Sequence, residues 1–180
     1  MNTLLTADLH FDHENIMKFC PENRGRFKDV DHMNECMVNE WNSTVCPEDT
    51  VYILGDVSFG KTTKAIQILQ RMNGSKILIK GNHDHKTLKS LEFFQCFESV
   101  HDYLEIRYEG HNIVLFHYPI IEWNRMHRGS IHFFGHVHGD KTGLEPYRAR
   151  DVGYDATGKV VWRMEDAIKD ALKGEIREHH

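Results

Sequence analysis

Apolar residues recur along this chain in two rhythms, one helical and one extended. A short apolar run at 2–7 breaks off into polar residues, which reads as a buried strand feeding a loop. Over 30–41, Val30, Met33, Met37, Val38 and Trp41 fall at helical spacing and predict a helix with one apolar face. A β-rich run at 50–54 stops at Gly55-Asp56. Ala65, Ile68, Leu69 and Met72 place a second helix over 64–72, and the run SKILIK at 75–80 is a strand that stops at Gly81-Asn82. Further on, 103–108 and 112–116 flank Gly110 as a hairpin, and 131–134 is a short strand ending at Gly135-His136. A late strand at 160–163 leads into an amphipathic helix reaching about residue 173.

Strand, helix, strand, helix, strand in the first half predicts α/β layering with a partly parallel sheet. The second half is richer in strands, expected to be antiparallel, and a second sheet packed on the first would bury both. The expected fold class is therefore α/β, two mixed β-sheets packed as a sandwich flanked by helices. No Pro/Gly/Ser-rich linker, low-complexity run or repeat divides the chain, so 1–180 reads as a single domain.

Composition narrows the class. At 40% apolar and 27% charged residues, the chain is neither fibrous nor a membrane protein. A net charge of -5 gives no global steering toward nucleic acid. Cys20, Cys36, Cys46 and Cys96 form no CxxC pair and are too sparse for a disulfide framework. They read as reduced thiols, and a cytoplasmic location is expected. The start of the chain lacks a basic segment and Asp8 interrupts its apolar run, so no signal peptide is expected. No run approaches the ~20 apolar residues of a membrane span. His179 and His180 read as the remnant of a purification tag. The unusual figure is 14 histidines, because histidine is the commonest metal ligand and the usual acid–base near neutral pH.

Many of these histidines sit where strands end. Asp8-Leu9-His10, Gly55-Asp56, Gly81-Asn82-His83-Asp84, Phe116-His117 and Gly135-His136-Val137-His138 each follow an apolar run directly. In open α/β sheets that is where ligands bind. The mixed nitrogen and oxygen donors suit first-row transition metals better than calcium or magnesium. They also outnumber what one tetrahedral ion needs, so two ions sharing a carboxylate is the economical reading.

In this order the five motifs resemble the calcineurin-like metallophosphoesterases, over about residues 2–153. The segments Asp8 to Phe11, Glu40-Trp41-Asn42, Gly55 to Gly60 and His117-Tyr118-Pro119 are similar to a small bacterial and phage subgroup. The resemblance implies a four-layer sandwich fold. It implies that Asp8, His10 and His138 hold a first metal, that Asn82, His117 and His136 hold a second, and that Asp56 bridges them. It implies that His83 is a general acid rather than a ligand, with Asp84 orienting it. The cofactors implied are two divalent transition-metal ions, manganese first, with iron, zinc, nickel or cobalt as alternatives. They would neutralise the phosphate oxygens and lower the pKa of a bridging water, so that hydroxide attacks the ester near neutral pH.

The expected partner is a phosphate ester, nucleotides included, with no membrane and no duplex nucleic acid. Diesters are favoured over monoesters because His10 and His83 are both present and the chain carries no evident cap domain. Candidate substrate contacts are His13, which shares a loop with His10, and Arg24, Arg26, Arg125 and Arg128, in the irregular segments 20–28 and 119–130. Lys141 has similar standing. His32, His85, His101, His111, His127 and His132 read as surface or satisfied groups. Two rivals remain: a nuclease for short or single-stranded nucleic acid, which needs a basic groove, and a non-catalytic scaffold on the same fold.

Overall fold

The computed structural model describes residues 1–177, so the tag reading of His179 and His180 lies outside the described residues. In chain order the elements are β1 (Thr3–Thr6), α1 (Ile16–Phe19), α2 (Pro21–Arg24), α3 (Val30–Thr44), β2 (Thr50–Ile53), α4 (Thr62–Gln70), β3 (Ser75–Ile79), α5 (Leu91–Phe94), β4 (Ser99–His101), β5 (Tyr103–Tyr108), β6 (His111–Phe116), β7 (Ile131–Phe134), β8 (Ala149–Asp151), α6 (Tyr154–Thr157), β9 (Trp162–Arg163) and α7 (Met164–Ala171). Single 3-10 turns lie at Thr87–Lys89 and Met126–Arg128.

The expected strands and long helices form, and local chemistry sets their ends. Asp29 caps α3 by accepting the His32 N–H at 2.8 Å. The apolar stripe of α3 is buried, with Trp41 fully covered and its indole N–H given to the Asn73 carbonyl. Six short elements escape the apolar pattern: α1, α2, α5, α6, β4 and β8 are three or four residues long and too brief to show a period.

β1 to β4 form a parallel sheet in the order β4-β3-β2-β1, with β9 antiparallel at the β1 edge. The second sheet has the order β5-β6-β7-β8. Its expected antiparallel pairing holds only for the β5–β6 hairpin; β6, β7 and β8 are parallel. The reason is the long connections after β6 and β7. Each returns the chain to the opposite end of the sheet before the next strand begins.

Alternation along each strand separates two cores. In β1, Leu4 faces α3 and α4, where it joins Met33, Met37, Trp41, Ile68 and Leu69, while Leu5 faces the other sheet. Leu5, Leu54 and Ile79 pack between the sheets against Ile113, Leu115, Ile131 and Phe133. Beyond the second sheet the covering layer is loop and 3-10 turn, built on Trp123, Met126 and Leu144. This sandwich brings the carboxyl ends of β1, β2, β3, β6, β7 and β8 to one edge. Backbone bonds lock that edge: Tyr154 N–H to the Ala7 carbonyl at 3.2 Å joins the two sheets, and Asp8 N–H to Gly55 and His10 N–H to Asp56, both at 3.0 Å, join the loops after β1 and β2. Among the described residues no helix is long and apolar enough to cross a membrane, and all four cysteines are free.

Candidate metal centre

The loops at that edge carry every residue of the expected ligand set. Asp8, His10 and His138 bring ligand atoms within 4.8 Å of one another, and so do Asp56, His117 and His136. Asp56 lies between the groups: its Oδ2 is 3.7 Å from His10 Nε2 and 3.7 Å from His117 Nε2. Asn82 joins the second group, with Oδ1 3.0 Å from His117 Nε2. His83 belongs to neither. Its backbone N–H donates to Asp56 Oδ1 at 2.9 Å, and its side chain is 39% exposed.

The backbone here is strained. Asp8, His10, Asp56, His136 and His138 all adopt left-handed φ, between 48° and 73°. Non-glycine residues seldom adopt this region, and each costs of order 1 kcal/mol or more. Five ligand positions held this way indicate loops shaped to aim side chains rather than to relax. The loops also pass very close to the carboxylates. A Cβ on Gly81 would sit 2.2 Å from Asp56 Oδ1, and one on Gly135 would sit 2.5 Å from Asp8 Oδ2.

The polar atoms left over fit a cation. Asp8 Oδ2 accepts the His136 N–H at 2.8 Å, but Asp8 Oδ1 is buried without a partner, as are both ring nitrogens of His10. A buried polar group left unpaired costs about 1–3 kcal/mol. His117 Nδ1 lies 2.7 Å from the Leu54 carbonyl and must donate to it, which turns its Nε2 toward the oxygens of Asp56 and Asn82. Burial, then the charges of Asp151 and Asp56, push the Asp8 carboxyl well above its ordinary range. Burial, then the Arg24 guanidinium, push His10 well below its own. A divalent cation would stabilise the ionised carboxylate and the neutral imidazole together.

One support of this centre is absent from the sequence reading. Asp155 Oδ2 lies 2.8 Å from His138 Nδ1, which leaves Nε2 of that ring for a metal. Arg24 holds Asp155 in turn through two hydrogen bonds, at 2.7 and 2.9 Å. Burial opposes ionisation of Asp155, but the hydrogen bonds from His138 and Arg24 hold its carboxyl below the usual range. Arg24 also donates to the carbonyls of Asp8, at 2.6 Å, and Leu9, at 3.0 Å, and stacks on Tyr154. Cys20 lies within 4.8 Å of His138 and Asp155, but burial, then the Asp155 charge, push its thiol up to about 11.

Several expectations are corrected. Arg24 is fully buried in this frame and is not a substrate contact. Asp84 does not orient His83. Its two oxygens accept the backbone N–H groups of Asp56 at 2.9 Å, Val57 at 3.0 Å and Gly81 at 2.8 Å, so it clamps the two ligand loops together. Arg26 turns to the Tyr154 hydroxyl and Glu40. Arg125 contacts Asn112 at the start of β6, five residues or roughly 17 Å from His117 along an extended strand. Arg128 lies in the 3-10 turn before β7, whose far end carries His136. The parallel crossover over 117–130 carries both arginines away from the centre. Lys141 is exposed beside the cavity wall. His13 is brought in: its ring centroid is 5.5 Å from that of His10.

A cavity of about 740 Å³ opens beside the first ligand group. Its floor includes His136, His138 and Asp155, and its opposite wall is Ile16, Phe19, Pro21, Glu22 and Asn23. The segment 20–28 thus contributes a wall through its apolar and amide groups rather than its arginines.

The two-sheet α/β sandwich, with these five motifs in order at its strand ends, is the fold that the resemblance to the calcineurin-like metallophosphoesterases implies. No protein-family model matches the chain. An uncharacterized protein of the archaeon Methanocaldococcus jannaschii, MJ1445, is 35% identical over 145 residues, covering 79% of this chain and 73% of that protein. The gene 66 protein of Mycobacterium phage L5 is 32% identical over an alignment of 195 positions, covering 91% of each. Among solved structures, a protein of unknown function from Aquifex aeolicus, AQ665, superposes with a TM-score of 0.74 at 26% identity, over 93% of this chain and 98% of that one. The chain belongs to one family with MJ1445 and the phage gene 66 protein.

Proposed function

We propose that the protein is a dinuclear metal-dependent phosphoesterase that prefers diesters. The observation that carries this reading is the set of five strained ligand positions surrounding buried, unpartnered Asp8 and His10 atoms. Asp8, His10 and His138 would hold one ion, and Asn82, His117 and His136 the other, with Asp56 shared. Bound ions would supply charge neutralisation for the phosphate and a hydroxide nucleophile near neutral pH.

The chain's own residues account for the rest. Hydrolysis adds water across a P–O bond, and the departing alkoxide needs a proton. His83 is the one motif histidine outside both ligand groups, and it is held beside them by its own backbone N–H to Asp56. As an imidazolium it gives that proton from a ring nitrogen and stabilises the leaving oxygen. The Asp155–His138 contact fixes one ligand's tautomer, and Asp84 keeps Asp56 and the His83 loop in register.

A nuclease is the weaker reading. The cavity wall carries Glu22 and Asp140 and no lysine or arginine, whereas a nucleic-acid groove tracks its backbone with cations. Turnover of bis-p-nitrophenyl phosphate and p-nitrophenyl phosphate with Mn²⁺ tests the assignment. The diester should be the faster substrate. Faster monoester turnover overturns the preference, and no turnover of any phosphate ester favours the scaffold.

A further inference from the structure

Two phenylalanines stand exposed at the rim of the centre: Phe59 is 52% and Phe19 71% accessible. They belong to one strip of rings. Phe59 meets His83 edge-on with centroids 5.0 Å apart and meets His13 at 4.1 Å, and His13 reaches Phe19 at 6.3 Å. Exposed apolar rings grouped beside a polar site offer a surface that a ligand can cover.

Phe59 is fixed. Its N–H donates to the Phe11 carbonyl at 2.9 Å, and the Ser58 hydroxyl donates to the same oxygen at 3.0 Å. The next residue, Gly60, packs so tightly on Asp12 that a Cβ there would lie 2.0 Å from its carboxylate. Lys64 pins Asp12 from the other side. The shelf is therefore preorganised and loses little entropy on binding. Between the phenylalanines, His13 Nδ1 is buried and unpartnered.

We propose that this shelf binds the nucleobase of a nucleoside leaving group, so that the favoured substrates are small nucleotide esters. The inference rests on the phosphoesterase reading above. If His83 protonates the leaving oxygen, the group attached to that oxygen exits past His83, and Phe59 is the ring packed against His83 there. At its other end the strip meets the cavity of about 740 Å³ beside the first ligand group, whose wall includes Phe19 but not Phe59, His13 or His83. Its wall has no lysine or arginine and carries Glu22 and Asp140, which suits an uncharged ring and repels a second phosphate. Bases stack on aromatic side chains with little sequence preference.

Calorimetric titration of the Mn²⁺-loaded protein with AMP and with ribose 5-phosphate, which differ only by the base, tests the shelf. AMP should bind roughly tenfold tighter, from one stacking contact. Phe59→Ala should bring the two affinities together and leave that for inorganic phosphate unchanged, and Phe59→Trp should restore the preference. Phe19→Ala should reduce it in part. Equal affinities in the unsubstituted protein, or a preference that survives both alanine variants, overturn the proposal. Turnover of bis-p-nitrophenyl phosphate is scored separately. A base preference without turnover sinks the hydrolase reading and leaves the shelf standing.

Discussion

At the scale of residues, the centre separates ligands from the groups that aim them. Asp56→Asn leaves an oxygen but removes the shared charge, and metal content measured after dialysis should fall below half of the unsubstituted value. His83→Ala should keep its metals and lose about 10²–10⁴ of its turnover, the usual worth of general acid catalysis. An emptied metal site in that variant would contradict the role given to His83. Asp155→Asn should weaken metal binding 10–100-fold, as loss of a carboxylate behind a ligating histidine does, and a chelator competition titration reads this directly. The candidate ligands that the fold brings together were legible in the sequence because their residue types stand at strand ends. Asp155 and Arg24 were not. Their pairing joins positions 131 residues apart, and no local pattern distinguishes a buried arginine from a solvated one.

At the scale of elements, short loops do the positioning, and they fail in different ways. In Gly81→Ala the new Cβ would collide with Asp56 Oδ1, so metal content should drop even where the fold survives by circular dichroism. In Asp84→Ala three buried N–H groups lose their acceptor, which should cost at least about 3 kcal/mol of stability in a urea titration. An unchanged midpoint would show that Asp84 is not the clamp. Strand and helix periodicity reveals β1, β2, β3, α3 and α4, whose apolar faces are long enough to read. It does not reveal parallel pairing in the second sheet, because direction depends on where a long connection re-enters. The same blindness places Arg125 and Arg128 at the wrong end of β6 and β7.

At the scale of the whole molecule, two sheets must pack before either ligand group exists, since each group draws on strands of both. Folding and metal binding are therefore linked, and saturating metal should raise the melting temperature. Histidines buried as neutral rings add a pH dependence. Burial pushes His132, fully covered between Val114 and the Ile120 loop, down to about 4. The unfolded chain takes up its proton near 6.5 and the native chain does not, so this stability is complete above about pH 6.5 and lost on descent toward pH 4, up to about 3 kcal/mol. Urea titrations at pH 7.5 and pH 5 should show the loss, and His132→Gln should flatten that part of the slope. The histidine surplus thus includes a candidate metal centre visible as motifs and a core residue whose environment only the packed sandwich defines.

The proposal of a two-metal hydrolytic centre is tested most directly by titrating metal-stripped protein with Mn²⁺ while following both bound metal and diester turnover. Two ions should bind per chain, with turnover reaching its plateau as the second site fills. Asp56→Asn should reach neither. A chain that binds one ion or none at saturation, or binds two and hydrolyses no phosphate ester, would contradict the assignment.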